Sequence, residues 1–332
     1  MSMAVANGTL SAAATPLHGT STPPNAVLAT RGLSRRFGKT EALRGVDLTV
    51  LRGELVGLVG PDGAGKTTLV RVLAGLLAAD AGSVEVLGRD PARDPRVRES
   101  MGVMPQRYSL YGDLSIAENL QFFGRLFGLS KQVYRERTTR LLDITRLAPF
   151  TERRADALSG GMYKKLALAC ALLHQPEVLL LDEPTNGVDP VSRRELWELL
   201  HELVGAGMGV LLATPSMDEA ARCHRVLLLD QGRVLADGAP DRLVRELDHP
   251  VFEVLGGDRN TVDAALLAHP DVRAASPAGT RLRVVLAPGS TERVRASLVA
   301  LGASLTPAVA DFEDVFLART AHVTELAKQA TP

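Results

Sequence analysis

The chain of 332 residues has two cysteines, no net charge and no long apolar run. Cys170 and Cys223 are too few for a disulfide framework and show no metal-ligand spacing. Both sit among apolar or helical residues and read as small buried hydrophobes. Lys plus Arg total 38 and Asp plus Glu total 38. This balance removes the strongest charge-based reason to expect non-specific nucleic-acid binding. The longest apolar candidate, LALACALL (Leu166 to Leu173), falls far short of the ~20 residues that cross a bilayer. The first 26 residues lack Lys and Arg and are rich in Ala, Ser, Thr and Pro. A secretory signal needs a basic start and an apolar core, so residues 1–26 read as a disordered tail. The expectation is a soluble, cytosolic chain.

The length suits one large domain plus a small one, or two medium ones. From 27 to 247, strand-like runs alternate with helical stretches. ELVGLVG (54–60), GVMPQ (102–106), EVLLLD (177–182), GVLLAT (209–214) and RVLLLD (225–230) are the strand candidates. Several are continuous Val/Leu runs, as expected of parallel strands buried on both faces. Lys66–Leu77 and Val191–Val204 read as helices between them, and the fold class is α/β. Residues 115–148 read instead as two helices, within a helical insertion of about 107–160. After Asp248 the order is strand, helix, strand, strand, helix, strand, the ferredoxin-like α+β arrangement, over 248–322. Residues 323–332 are left as a tail.

GPDGAGKT, Gly60 to Thr67, matches G-x-x-x-x-G-K-[ST] between a buried strand and a helix. Gly60, Gly63 and Gly65 let the backbone curl, so that successive N–H groups, including that of Asp62, point at phosphate oxygens. The helix starting near Lys66 adds its positive end. Lys66 would reach the β- and γ-phosphates and the Thr67 hydroxyl would hold Mg²⁺, with Thr68 beside it. In VLLLDEP, an apolar strand delivers Asp182 to a position where it can hold Mg²⁺ through water. Glu183 then faces the γ-phosphate as a general base. The pair points to a P-loop NTPase that uses a nucleoside triphosphate and Mg²⁺.

LSGGM, Leu158 to Met162, precedes a second helix (Tyr163–Leu173). Ser159, Gly160 and Gly161 form another anion-binding helix start. One phosphate loop does not need two cradles, so this one serves the nucleotide of a partner chain. With this motif the chain resembles the nucleotide-binding subunits of ABC transporters, over about 27–247. The resemblance implies that the nucleotide is ATP and that Phe37, in RRFGKTEAL, stacks on adenine. It implies that Gln106, in VMPQRYSLYGDLS, contacts Mg²⁺ and the attacking water, and that Asp189, in GVDP, belongs to the D-loop. VGPDGAGKTT and VSRRELW look like the amino-terminal half of tandem export ATPases. ADFEDVFLART (310–320) resembles the extension of daunorubicin-resistance-type drug and antibiotic exporters, whose role is regulatory or dimer-contacting.

The resemblance further implies an ABC-2-type membrane permease as partner, met on the cytoplasmic face of the membrane through an insertion carrying Tyr108, Tyr111, Phe122, Phe123 and Phe127. About half of these aromatics are expected to pack the insertion itself. The competing class is a soluble, non-transport ABC ATPase, a nucleic-acid or ribosome-associated clamp. Clamp relatives separate the two motifs by a long coiled coil, whereas about 90 residues separate them here and show no sustained heptads. In one place the pattern breaks. LLATPSMDEA carries Pro215 where the family has a His that senses the terminal phosphate. Neither Thr214 nor Ser216 offers a cation, and His224 is expected on the far side of the following helix. A slow site, and a heterodimer with a His-bearing ATPase rather than a homodimer, are the expectations.

Overall fold

The computed structural model describes the backbone of residues 23–107 and 109–329, and side chains as far as residue 320. Most of the expected amino-terminal tail and Tyr108 lie outside the described residues.

Strands β1 (Ala26–Phe37) and β2 (Thr40–Leu51) form a long antiparallel hairpin. β3 (Leu55–Val59) then enters the interior and turns into helix α1 (Lys66–Leu73). β4 (Ala81–Val86) returns to the free edge of β1, giving a three-stranded sheet β2-β1-β4. The helix predicted to reach Leu77 stops at Leu73 because Gly75 turns the chain with φ 67°, where a Cβ would press on the Pro91 carbonyl.

β5 (Met101–Met104) leads to the two helices α2 (Ile116–Leu126) and α3 (Lys131–Ile144), and α4 (Gly160–Leu172) follows them. Ser115 and Glu118 close a capping box at the start of α2. β6 (Val178–Asp182), α5 (Pro190–Gly205), β7 (Gly209–Thr214), the short α6 (Met217–Ala220), β8 (Arg225–Asp230), β9 (Arg233–Gly238) and α7 (Pro240–Arg245) complete the α/β unit. The large sheet runs β5-β6-β7-β3-β8-β9, parallel except for β9.

The apolar runs are explained by what each face meets. Along β6, Leu179 and Leu181 point into a core shared with α4 and α5. Val178 and Leu180 point into a second core against α1 and the three-stranded sheet. β7 and β8 alternate in the same way, so period two survives while both faces stay dry. Cys223 fills the space over Gly57, where a Cβ would lie 2.9 Å from its sulfur.

The remaining elements are β10 (Val251–Gly256), α8 (Arg259–Ala268), β11 (Val272–Ala278), β12 (Arg281–Leu286), α9 (Thr291–Val299) and β13 (Ala303–Pro307), in an antiparallel sheet ordered β11-β12-β10-β13. Phe252, Val254 and Val284 pack beneath Val262, Leu266, Val294 and Leu298 of the two helices. One more helix follows, α10 (Phe312–Gln329), so residues 323–329 continue a helix instead of forming the expected tail. Asp311 accepts hydrogen bonds from the N–H groups of Glu313 (2.9 Å) and Asp314 (3.2 Å), while Asp314 accepts one from Asp311 N–H at 2.8 Å. Asp314 also takes both Arg283 nitrogens, Nε at 2.9 Å and Nη2 at 2.6 Å. From this anchored start, Phe312 and Val315 enter the core of the α/β unit beside Ala220 and Leu243.

Candidate functional site

The loop between β3 and α1 is built from its own backbone. Gly63 and Gly65 have φ of 81° and 108°, conformations that a side chain resists. A Cβ on Gly60 would run into the Leu229 carbonyl, and one on Gly65 into that of Ala42. The buried Lys66 ammonium donates to Gly60 O (2.7 Å) and Pro61 O (2.9 Å). Burial lowers its pKa, and the charges of Glu183, Asp62 and Asp182 work against that shift. Around this lies an open cavity of about 520 Å³, lined by Asp62, Gly63, Gly65, Lys66, Thr67, Thr68, Gln106 and Glu183. Eight of the nucleotide-binding and catalytic residues read from the sequence therefore meet at one place. Arg44 and Gln231 also line the cavity, and no sequence motif marked either.

β6 carries the acidic pair to the rim. Asp182 is buried, its carboxyl pushed above the ordinary range by burial, with the Thr67 hydroxyl bond opposing. Its Oδ1 is enclosed and has no hydrogen-bond partner. Glu183 sits at φ 51°, an unusual conformation for this residue, held by its N–H bond to Ala213 O (2.9 Å). Its Oε2 accepts from Gln106 Nε2 at 2.8 Å and from Asn186 Nδ2 at 3.0 Å. Lys164 donates to the main-chain oxygens of both Gln106 (3.3 Å) and Glu183 (3.2 Å). Asn186 and Lys164 were missed in the sequence, the lysine because a Lys–Lys pair on a helix reads as a solvated face.

Pro215 follows β7 and is exposed. The turn it belongs to is fixed from below by the buried Glu219. That carboxylate accepts from Thr214 Oγ1 at 2.7 Å and from Thr185 Oγ1, while Ser216 N–H donates to Thr214 Oγ1 at 3.1 Å. His224 lies where it was expected, away from the phosphate loop. Its Nδ1 accepts from Leu55 N–H at 3.1 Å, at the opposite end of β3.

Ser159 caps α4, accepting from Met162 N–H at 3.3 Å, and is exposed together with Gly160. A Cβ on Gly160 would meet the Gly187 carbonyl at 2.5 Å, and one on Gly161 would strike Ser192 Oγ. Asp189 caps α5 beside them, accepting from Val191 N–H (3.1 Å) and Ser192 N–H (2.9 Å). These bonds, Ser192 first, hold its carboxyl below the usual range. Neither this cluster nor Phe37 lines the cavity. Phe37 is 49% exposed, with the Arg35 guanidinium 5.1 Å from its ring centre. In the insertion Tyr111 and Phe122 are exposed and meet edge to face at 4.6 Å, whereas Phe127 stacks on His174 at 4.0 Å. No helix among the described residues is long and apolar enough to cross a membrane.

Comparison with known proteins agrees with this geometry. Residues 43–186 match the ABC transporter family. The chain is 44% identical over 268 residues to a protein of Escherichia coli (strain K12) named probable multidrug ABC transporter ATP-binding protein YbhF, covering 79% of this chain and 46% of that protein. It thus spans about half that relative's length. It is 39% identical over 293 residues to the Nod factor export ATP-binding protein I of Rhizobium sp. (strain N33), covering 87% of this chain and 95% of the relative. Among solved structures, one described as the ATP binding subunit of an ABC transporter superposes with a TM-score of 0.62 at 32% identity, covering 66% of this chain and 92% of that one. With its phosphate loop, acidic pair and LSGGM helix in the family's order, the chain belongs to the ATP-binding proteins of ABC transporters, ATPases of the P-loop class.

Proposed function

We propose that the chain is the ATP-hydrolysing subunit of a membrane exporter of the multidrug or antibiotic type, held at the cytoplasmic face by an ABC-2-type permease. The observation that carries hydrolysis is Glu183, aimed by Gln106 and Asn186 at the rim of the phosphate cavity. A carboxylate so placed can take a proton from water attacking the γ-phosphate. Lys66 would exchange its two loop carbonyls for phosphate oxygens. Thr67 and Asp182 suit Mg²⁺, a hard cation that takes oxygen ligands, and the orphaned Oδ1 of Asp182 supports that fit. Bound there, the ion would offset phosphate charge. The exposed Tyr111 and Phe122 support docking of the permease on the insertion. Residues 248–322 form an accessory unit of ferredoxin-like type.

The exposed Ser159 and Gly160, remote from the chain's own cavity, support a dimer in which each signature completes the partner's site. Pro215 then distinguishes the two sites. A hydrogen bond to a charged group contributes ~1.5–3 kcal/mol. If it forms only in the transition state, its loss slows hydrolysis roughly 10- to 150-fold. A partner ATPase with a His at that position would supply the faster site, completed by this chain's intact signature.

Steady-state ATP hydrolysis by the purified chain, its Pro215→His variant and a Glu183→Gln blank tests this reading. A gain of about tenfold or more in Pro215→His is the expected result. Equal, substantial rates in the first two would overturn the sensor reading and favour a homodimer.

A further inference from the structure

The start of α4 grips its surroundings with three consecutive side chains, and their targets differ. Tyr163 Oη accepts from Leu110 N–H at 3.3 Å, in the segment that follows Gln106. Lys165 pairs with Glu195 of α5, which also holds Arg146 from the end of α3. Between them Lys164 turns inward and donates to the carbonyl oxygens of Gln106 and Glu183. Those two residues already share a side-chain hydrogen bond at 2.8 Å, so the ammonium holds from behind the same pair that faces the cavity. An ammonium has three donors in a compact head, and here two of them bridge separate segments. The helix that supplies it begins at Ser159, Gly160 and Gly161.

We propose that Lys164 is a positioning residue that ties the signature helix to this chain's own Gln106 and Glu183, so that a nucleotide held at Ser159–Gly161 by a partner sets the alignment of the hydrolytic pair here. This rests on the dimeric ATPase reading above. The tie explains how one composite site acts on the other without contact between their nucleotides. A displacement of α4 on closure moves the Lys164 ammonium, and with it two backbone oxygens whose residues hold the attacking water. Lys165, one residue on, keeps the same helix registered against α5 and plays no part in the cavity.

The test uses the full chain with Lys164→Met, which keeps an apolar stem and removes the donors, and Lys164→Arg, whose fork can reach both carbonyls. For Lys164→Met the expected result is a fall in kcat of roughly 10- to 100-fold, with KM for ATP within about twofold of the parent. Lys164→Arg should recover most of that loss. Hydrogen exchange, followed without nucleotide in peptides spanning residues 101–110 and 178–190, should rise in Lys164→Met and return in Lys164→Arg. An unchanged kcat with unchanged exchange overturns the proposal. So does a fall in kcat that Lys164→Arg fails to rescue, accompanied by faster exchange throughout α4, because that pattern describes a residue needed only for packing. If the parent chain hydrolyses no ATP, the functional reading above fails, while the exchange comparison still decides whether Lys164 holds the pair.

Discussion

Two helices of this protein begin beside closely packed glycines, and only one of them also needs the glycines for a left-handed backbone. At α1 the glycines supply backbone shape, since Gly63 and Gly65 adopt left-handed conformations and the loop wraps its own lysine. At α4 no left-handed conformation is present. Gly160 and Gly161 are there because the Gly187 carbonyl and Ser192 press against them. The first start opens into a lined cavity, while the second is exposed at Ser159. On the function proposed above, the first start serves the chain's own nucleotide and the second waits for that of a partner.

The largest expected effect separates binding from chemistry at α1. Glu183→Gln should lower hydrolysis by about 10²–10⁴-fold while ATP affinity, measured with a fluorescent analogue, stays near the parent value. Lys66→Ala should instead weaken that affinity by about 100-fold, because the buried cation that meets the phosphates is gone. Ser159→Arg sharpens the comparison. Hydrolysis should fall about 100-fold, yet the affinity of the monomer for ATP should not change. Should Ser159→Arg weaken monomer binding as much as Lys66→Ala, the signature belongs to the chain's own site and the contrast collapses. A smaller effect concerns the accessory unit. Asp314→Ala removes the buried partner of Arg283, which keeps the Val309 carbonyl and Asp311, and thermal unfolding should report a loss of about 2 kcal/mol. Smallest of all is thiol reactivity. Burial, with the nearby Glu219 charge, pushes Cys223 up to about 12, and burial raises Cys170 as well. Raised thiols stay protonated, so alkylation at pH 8 should be slow until the chain unfolds, and mass spectrometry of the modified protein reads it directly.

The parallel sheet was legible because a strand buried on both faces has nowhere to put a polar residue. The phosphate loop was legible because few residue sets allow that curl. Much of what lies around them was not. β2 alternates cleanly only from Val46 to Val50, while β1 runs four buried residues from Val27 to Thr30 and then bulges between Thr30 and Arg36, so no period of two holds along the whole hairpin. Lys164 and Glu219 look like surface charges on helices, and only tertiary contact with carbonyls and hydroxyls from distant segments gives them a role. The strands and helices of 251–307 come in the order read from the sequence, since each is short and bounded by Gly, Asp or Pro. α10 was missed because its first turn depends on Asp311, Asp314 and Arg283 meeting across the fold.

That last helix bears on how the protein is made. Phe312 and Val315 belong to the same apolar cluster as Leu196, Trp197 and Leu243. During synthesis the α/β unit emerges first, with part of its interior still to be translated. At roughly 5–20 residues per second, ribosomes take several seconds to pass from residue 247 to residue 315. For that interval Ala220 and Leu243 lack the two apolar side chains that cover them, and nascent chains halted shortly before Phe312 should be more sensitive to protease than those released in full.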